Sequence, residues 1–393
     1  CTQRRIWYPT KPLGKLVAVV IELLTLRRGY WLVVARARRQ DASYPHHIEP
    51  WPGVGGNCWS HLCSAWGNSN RRYPLRRIGL DVFSHKFPES GSDHSRKGWR
   101  MSMDLWVFDV GRGLCVAVRS PNGYLCVIDC GCSDDFSPIE WLATQEWTHH
   151  KNFKLAKLII THPHVDHIAD IETVTNRLKP YMILRRKDLD WKKVISGGSN
   201  QSTAMRHYME NYMPPEYNST VNDTDKPDWG DGFAISSYCL GEAKTSEISA
   251  TDSAYVNNTS YVNVITYRNY CFALPGDIES EGMAALLGQS QGLCSAIKSG
   301  VDFYLSPHHG HPSGFSTEWF NVAGATRIMN IASERRKSER EEESQTKADT
   351  RYSDNNFCCG NNREQKRLVS TKTHGHIRIW VTDDGKWGWE ASK

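Results

Sequence analysis

No stretch of this 393-residue chain is apolar enough to cross a bilayer as a helix. The longest apolar run, Leu16 to Leu24, is broken by Glu22, and a span needs about 20 apolar residues. A membrane partner is therefore not expected. No two of the 12 cysteines stand at C-x-x-C spacing, which excludes a zinc ribbon and a thioredoxin-type motif. Scattered along so long a chain, they read as ordinary thiols of a cytoplasmic protein. No G-x-x-x-x-G-K-[ST] occurs, so a P-loop nucleotide site is excluded. No internal repeat is visible.

Acidic residues are scarce in the first hundred positions, where 13 Arg and 4 Lys face 3 Asp and 3 Glu, a surplus of 11 positive charges. Residues 101–393 carry 31 basic and 37 acidic side chains. The net charge of +5 thus comes entirely from the first segment; the acidic balance beyond it disfavours a long nucleic acid, while the local patches Arg185-Arg186-Lys187 and Lys192-Lys193 can compensate. Residues 1–100 read as a basic N-terminal extension, either translated upstream sequence or disordered, with a basic arm that binds a polyanion as the rival reading. The stretch from Ile48 to Gly67 has neither a helical nor a strand hydrophobic period. Lys15 to Arg28 reads as a short amphipathic helix.

From Met101 the pattern becomes regular, and residues 101–393 form one expected domain. Leu105 to Val110, Leu114 to Arg119 and Tyr124 to Asp129 are short Val- and Ile-rich runs separated by Gly-Arg-Gly and Ser-Pro-Asn-Gly turns, an antiparallel meander. Pro138 to Thr148 and Ile168 to Leu178 read as helices, and Lys157 to Thr161 as a buried strand. Val262 to Tyr267 and Tyr270 to Leu274 form a hairpin. Phe303 to Ser306 is a strand and Arg378 to Val381 the last one. Clusters of strands with helices between them indicate an α/β fold of two mixed sheets covered by helices. A mixed-charge insertion near 333–365 reads as a solvated excursion.

The chemistry begins at Thr161-His162-Pro163-His164-Val165-Asp166-His167. Three His and one Asp stand at H-x-H-x-D-H spacing directly after a buried strand. His162 and His164 alternate outward from an extended segment and can share one ion. Asp166 and His167, at the start of a helix, can hold a second. Imidazole with carboxylate suits zinc first, with manganese or iron as alternatives.

These residues resemble the metallo-β-lactamase fold superfamily. Val107 to Gly113, Val127 to Gly131, Leu274 to Glu279, Val301 to Gly310 and Thr373 to Ile377 are similar in order and spacing to the hydrolase domain of ComEC-type DNA-uptake proteins, without a channel segment. The resemblance implies a four-layer αββα sandwich holding two divalent metal ions. It implies that Asp129 orients the histidine cluster from behind, that Asp277 bridges the ions, and that one of His308 and His309 completes the second site. We take His308 as that ligand, with His162, His164, Asp166 and His167, and leave His309 with Asp166 to catalysis. The resemblance departs in three places. The superfamily's further histidine falls near Asn257-Asn258-Thr259-Ser260, and His207 reads as a surface residue. The usual Gly-Gln-Gly is Gly111-Arg112-Gly113, and His311 replaces a Ser.

A metal pair implies hydrolysis by a metal-bridged hydroxide, with a small-molecule or nucleic-acid phosphodiester as the substrate. The alternatives are a small ester, thioester or lactam, or a metal-binding module with little turnover.

Overall fold

Alternation decides the layers. In the strand Ser102–Val107, Met103, Leu105 and Val107 point one way, and Trp106, followed by Phe108, points the other. Both sets are buried, so this strand must be covered on two faces. The computed structural model describes residues 102–145, 155–199, 202–214, 227–334, 351–354 and 368–393, together with the backbone of three strands before residue 40. The chain divides into two compact units, residues 1–81 and 82–393.

In the first unit, β1 (Arg4–Thr10), β2 (Val17–Leu26) and β3 (Tyr30–Arg39) form an antiparallel sheet in that order. The helix expected over Lys15 to Arg28 is instead a strand, in keeping with Val17, Val19, Val20 and Ile21, whose branched side chains favour extended backbone.

The second unit carries two mixed sheets. One has seven strands in the order β16-β15-β4-β5-β6-β7-β8: β4 (Ser102–Val107), β5 (Val116–Arg119), β6 (Leu125–Ile128), β7 (Leu155–Ile159), β8 (Pro180–Leu184), β15 (Ile377–Thr382) and β16 (Trp387–Ala391). Its pairs are antiparallel except β6 with β7 and β7 with β8. The other has six strands in the order β14-β13-β12-β11-β10-β9: β9 (Ala234–Tyr238), β10 (Val262–Tyr267), β11 (Tyr270–Leu274), β12 (Phe303–Leu305), β13 (Met329–Ala332) and β14 (Leu368–Ser370). From β11 to β14 it is parallel.

Three apolar clusters define four layers. Leu105, Val118 and Ile128 of one sheet meet Ile265, Phe272 and Phe303 of the other between the sheets. Phe108, Val127 and Leu158 face the helices Pro138–Thr144, Ile171–Arg177 and Thr203–Tyr212. Val264, Ala273 and Tyr304 face the helices Ser280–Gln289, Gln291–Ile297 and Thr317–Ala323. This is the expected αββα arrangement, with one strand, β16, beyond the one read as last. Of the charged insertion, residues 335–350 and 355–367 lie outside the described residues; the turn Arg351–Asp354 between them buries Tyr352. Among the described residues no helix is long and apolar enough to cross a membrane.

Candidate metal centre

Strand ends from both sheets converge at one edge. Asp129 follows β6, His162 follows β7, Asp277 follows β11 and His308 follows β12. Binding sites form at the carboxyl ends of parallel strands because the chain leaves the sheet there and side chains can turn toward one another. The backbone is held tightly at this edge. Cys130 N donates to His167 O at 2.7 Å and Leu114 N to Asp166 O at 3.3 Å. Of the four non-glycine residues with positive φ among those described, three are here: Asp129, His308 and His309. Such conformations are costly and persist where the surroundings over-determine them.

Asp129 is fully buried. Its Oδ1 accepts from Thr161 N at 2.7 Å, and its Oδ2 accepts from Thr161 Oγ1 at 2.6 Å and faces His167 Nδ1 at 2.7 Å. The carboxylate therefore fixes the proton of His167 on Nδ1 and turns Nε2 inward. That Nε2 lies 3.2 Å from Asp277 Oδ2, as does Nε2 of His309. Neither nitrogen is buried with a well-aligned hydrogen-bond partner. Asp166 Oδ2 is 3.7 Å from His309 Nε2.

His162 completes the other side. Thr161 Oγ1 gives its proton to Asp129, so it accepts at His162 Nδ1, 3.1 Å away, and His162 Nε2 presents a lone pair to the site. His162 Nε2 and His164 Nδ1 are 3.0 Å apart; two nitrogens on one tetrahedral ion at ~2.05 Å would stand about 3.3 Å apart. Two sets of donors converge, His162, His167 and Asp277 in one and Asp166, His167 and His309 in the other, each within 4.8 Å.

The electrostatics match a cation site. Burial opposes charge on Asp277, yet the imidazoles of His167 and His309 hold its carboxyl well below the ordinary range. Burial likewise opposes a proton on His309, but Asp277 and Asp166 outweigh it and hold that imidazole up at about 9. Burial pushes His162 and His164 down, which keeps their lone pairs free. Protons on His167 and His309 thus occupy the place a divalent ion would neutralise, and two buried donors without aligned partners face it. The residues fit a bound metal.

The structure brings His162, His164, Asp166, His167, Asp277 and His309 together and puts Asp129 behind them. His308 turns away. Its Nδ1 is 2.9 Å from Ser313 Oγ and 3.8 Å from Glu279 Oε1, and burial pushes it down to about 4. His311 shares the same Ser313 hydroxyl at 2.9 Å. His207 bonds Thr175 Oγ1 at 2.8 Å on a helix outside the centre. In the segment Asn257-Asn258-Thr259-Ser260, near which the resemblance puts a further histidine, Ser260 Oγ lies 3.2 Å from His162 Nδ1 and accepts from Asp277 N at 3.1 Å. Thr161 was not read as functional; the hydroxyl directly before His162 was the signal. The chain also spells G-x-S-x-G from Gly288 to Gly292, but Ser290 caps the helix Gln291–Ile297 and accepts from Leu293 N.

The metallo-beta-lactamase superfamily model matches residues 108–231. Among solved structures the chain is similar to the 1.98-angstrom crystal structure of Zn(2+)-bound PqqB from Methylobacterium extorquens, at 10% identity over 51% of this chain and 71% of that one, with a TM-score of 0.27. No curated protein matches. The match spans the meander and the H-x-H-x-D-H cluster, and the two helix-covered mixed sheets around it have the arrangement that this similarity leads one to expect.

Proposed function

We propose that this chain is a metal-dependent hydrolase that binds two divalent ions, zinc first, and cleaves phosphodiesters, as the resemblance to ComEC-type hydrolase domains implies. The observation that carries the reading is the pair of inward Nε2 atoms, of His167 and His309, each 3.2 Å from the same Asp277 oxygen. That convergence supports Asp277 as the group shared by two sites. His162, His164 and Asp277 would hold one ion; Asp166, His167, His309 and Asp277 would hold the other. His309 takes the ligand role first expected of His308, because its ring faces the two carboxylates. His308 and His311, tied to Ser313, stand at the rim.

Bound ions would lower the pKa of water toward neutrality and polarise a phosphoryl oxygen. Asp166 would orient the attacking water and take its proton as the water oxygen joins phosphorus; the ester P–O bond breaks, and the leaving alkoxide takes up that proton and departs as the alcohol. Asp129 acts through His167 and, by way of the Thr161 hydroxyl, through His162.

Metal analysis tests the ligand set. Reconstituted protein is expected to hold between one and two zinc or manganese ions per chain. Asp277→Ala should remove more metal than His207→Ala. Equal losses, or no retained metal in the unaltered chain, would refute it.

A further inference from the structure

We propose that Arg112 selects an anionic substrate at this centre, its guanidinium receiving the non-bridging oxygens of a phosphodiester; the inference rests on the hydrolase reading above. Arg112 Nε lies 3.4 Å from Asp166 Oδ2, and its side chain is 73% exposed. A guanidinium has five donors in a rigid fork. One faces Asp166, and the rest of the fork lies toward solvent at the mouth of the cluster.

The way this side chain is mounted argues for more than a surface ion pair. An exposed pair contributes only about 0–1 kcal/mol and needs no special backbone. Here Arg112 stands between Gly111 at φ +71 and Gly113 at φ +119. A Cβ on Gly113 would meet Asp166 O at 2.1 Å. Leu114 N donates to that same oxygen, and Gly113 O accepts from Ser333 Oγ at 2.7 Å. The turn is therefore fastened to the backbone of Asp166, and Arg112 is held at a set distance from a carboxylate of the centre. Residues 101–393 carry more acidic than basic side chains, so this cation is placed against the charge of the domain. Once Asp166 is committed to a cation, its negative charge no longer satisfies the guanidinium. The planar fork then matches two oxygens of a phosphate, which a lysine ammonium cannot match in the same way.

The test is binding of inorganic phosphate to the zinc-loaded chain by calorimetry, with zinc content and diester kinetics measured alongside. Arg112→Ala is expected to weaken phosphate binding at least ~10-fold, the scale of one charged hydrogen bond, with unchanged zinc content. Arg112→Lys should recover part of the loss. KM for bis-p-nitrophenyl phosphate should rise in proportion, while kinetics with neutral p-nitrophenyl acetate stay the same. Phosphate binding that ignores Arg112→Ala, or is absent from the unaltered protein, overturns the proposal. So does loss of zinc in Arg112→Ala, which would make Arg112 a support for Asp166. Arg112-dependent phosphate binding without diester turnover would uphold the anion site and refute only the hydrolase reading.

Discussion

His167 bridges two carboxylates, with Nδ1 2.7 Å from Asp129 Oδ2 and Nε2 3.2 Å from Asp277 Oδ2. One carboxylate fixes the ring, and the other shares its free nitrogen. Asp129→Asn keeps the shape and tolerates φ +57, but removes the charge that holds the proton on Nδ1. Zinc affinity should fall about 10–100-fold with the fold intact by circular dichroism. Competition against a chelating dye measures this; unchanged affinity would make Asp129 merely a strand-end cap.

The metal-free protein should lose stability in mild alkali. His309 is held up at about 9, above an unfolded value of about 6.5. The folded chain binds that proton more tightly, so the stabilisation is complete below about pH 6.5 and is lost as the pH rises through 9. A shift of this size corresponds to on the order of 3 kcal/mol. Melting temperatures in EDTA at pH 6.5 and 9.5 should differ by several degrees, and zinc should flatten the difference because a ligating imidazole carries no proton on the bound nitrogen.

Two glycines of one turn should respond differently. Gly113→Ala drives a Cβ to 2.1 Å from Asp166 O, whereas at Gly111 nothing lies within 4 Å. Gly111→Ala should cost about 1–2 kcal/mol from its positive φ alone. Gly113→Ala must also shift Asp166, so it should lose zinc as well as stability. Equal melting temperatures and zinc contents for the two variants would contradict this.

A chain beginning at Met101 should fold and take up zinc on reconstitution as the longer chain does. β4 starts at Ser102 and pairs with β5 and β15, both within residues 101–393. Beginning at Met103 instead would place a charged terminus on a fully buried residue, and that chain should melt lower. Aggregation of the Met101 chain would show that residues 1–100 contribute core.

The meander, the hairpin and the H-x-H-x-D-H cluster were legible because each is local: alternation, turn residues and short spacing fall within a few positions. β13 and β14 were not, since Met329–Ala332 and Leu368–Ser370 are short runs whose burial comes from a parallel neighbour. The choice between His308 and His309 was also beyond the sequence. Adjacent residues in one short motif carry no signal that tells them apart, and only the folded turn shows that His309 faces Asp277 while His308 faces Ser313. Ser260 reaches His162 across 98 positions, a contact no spacing rule encodes.

The most direct measurement is the initial rate of bis-p-nitrophenyl phosphate hydrolysis by metal-free protein, by protein reconstituted with zinc or manganese, and by Asp166→Ala prepared in the same way. Turnover should be absent without metal, restored by it, and lower by at least ~10²-fold in Asp166→Ala, the scale of one positioned proton-transfer group. A fully loaded protein that leaves the diester intact would contradict the phosphodiesterase assignment.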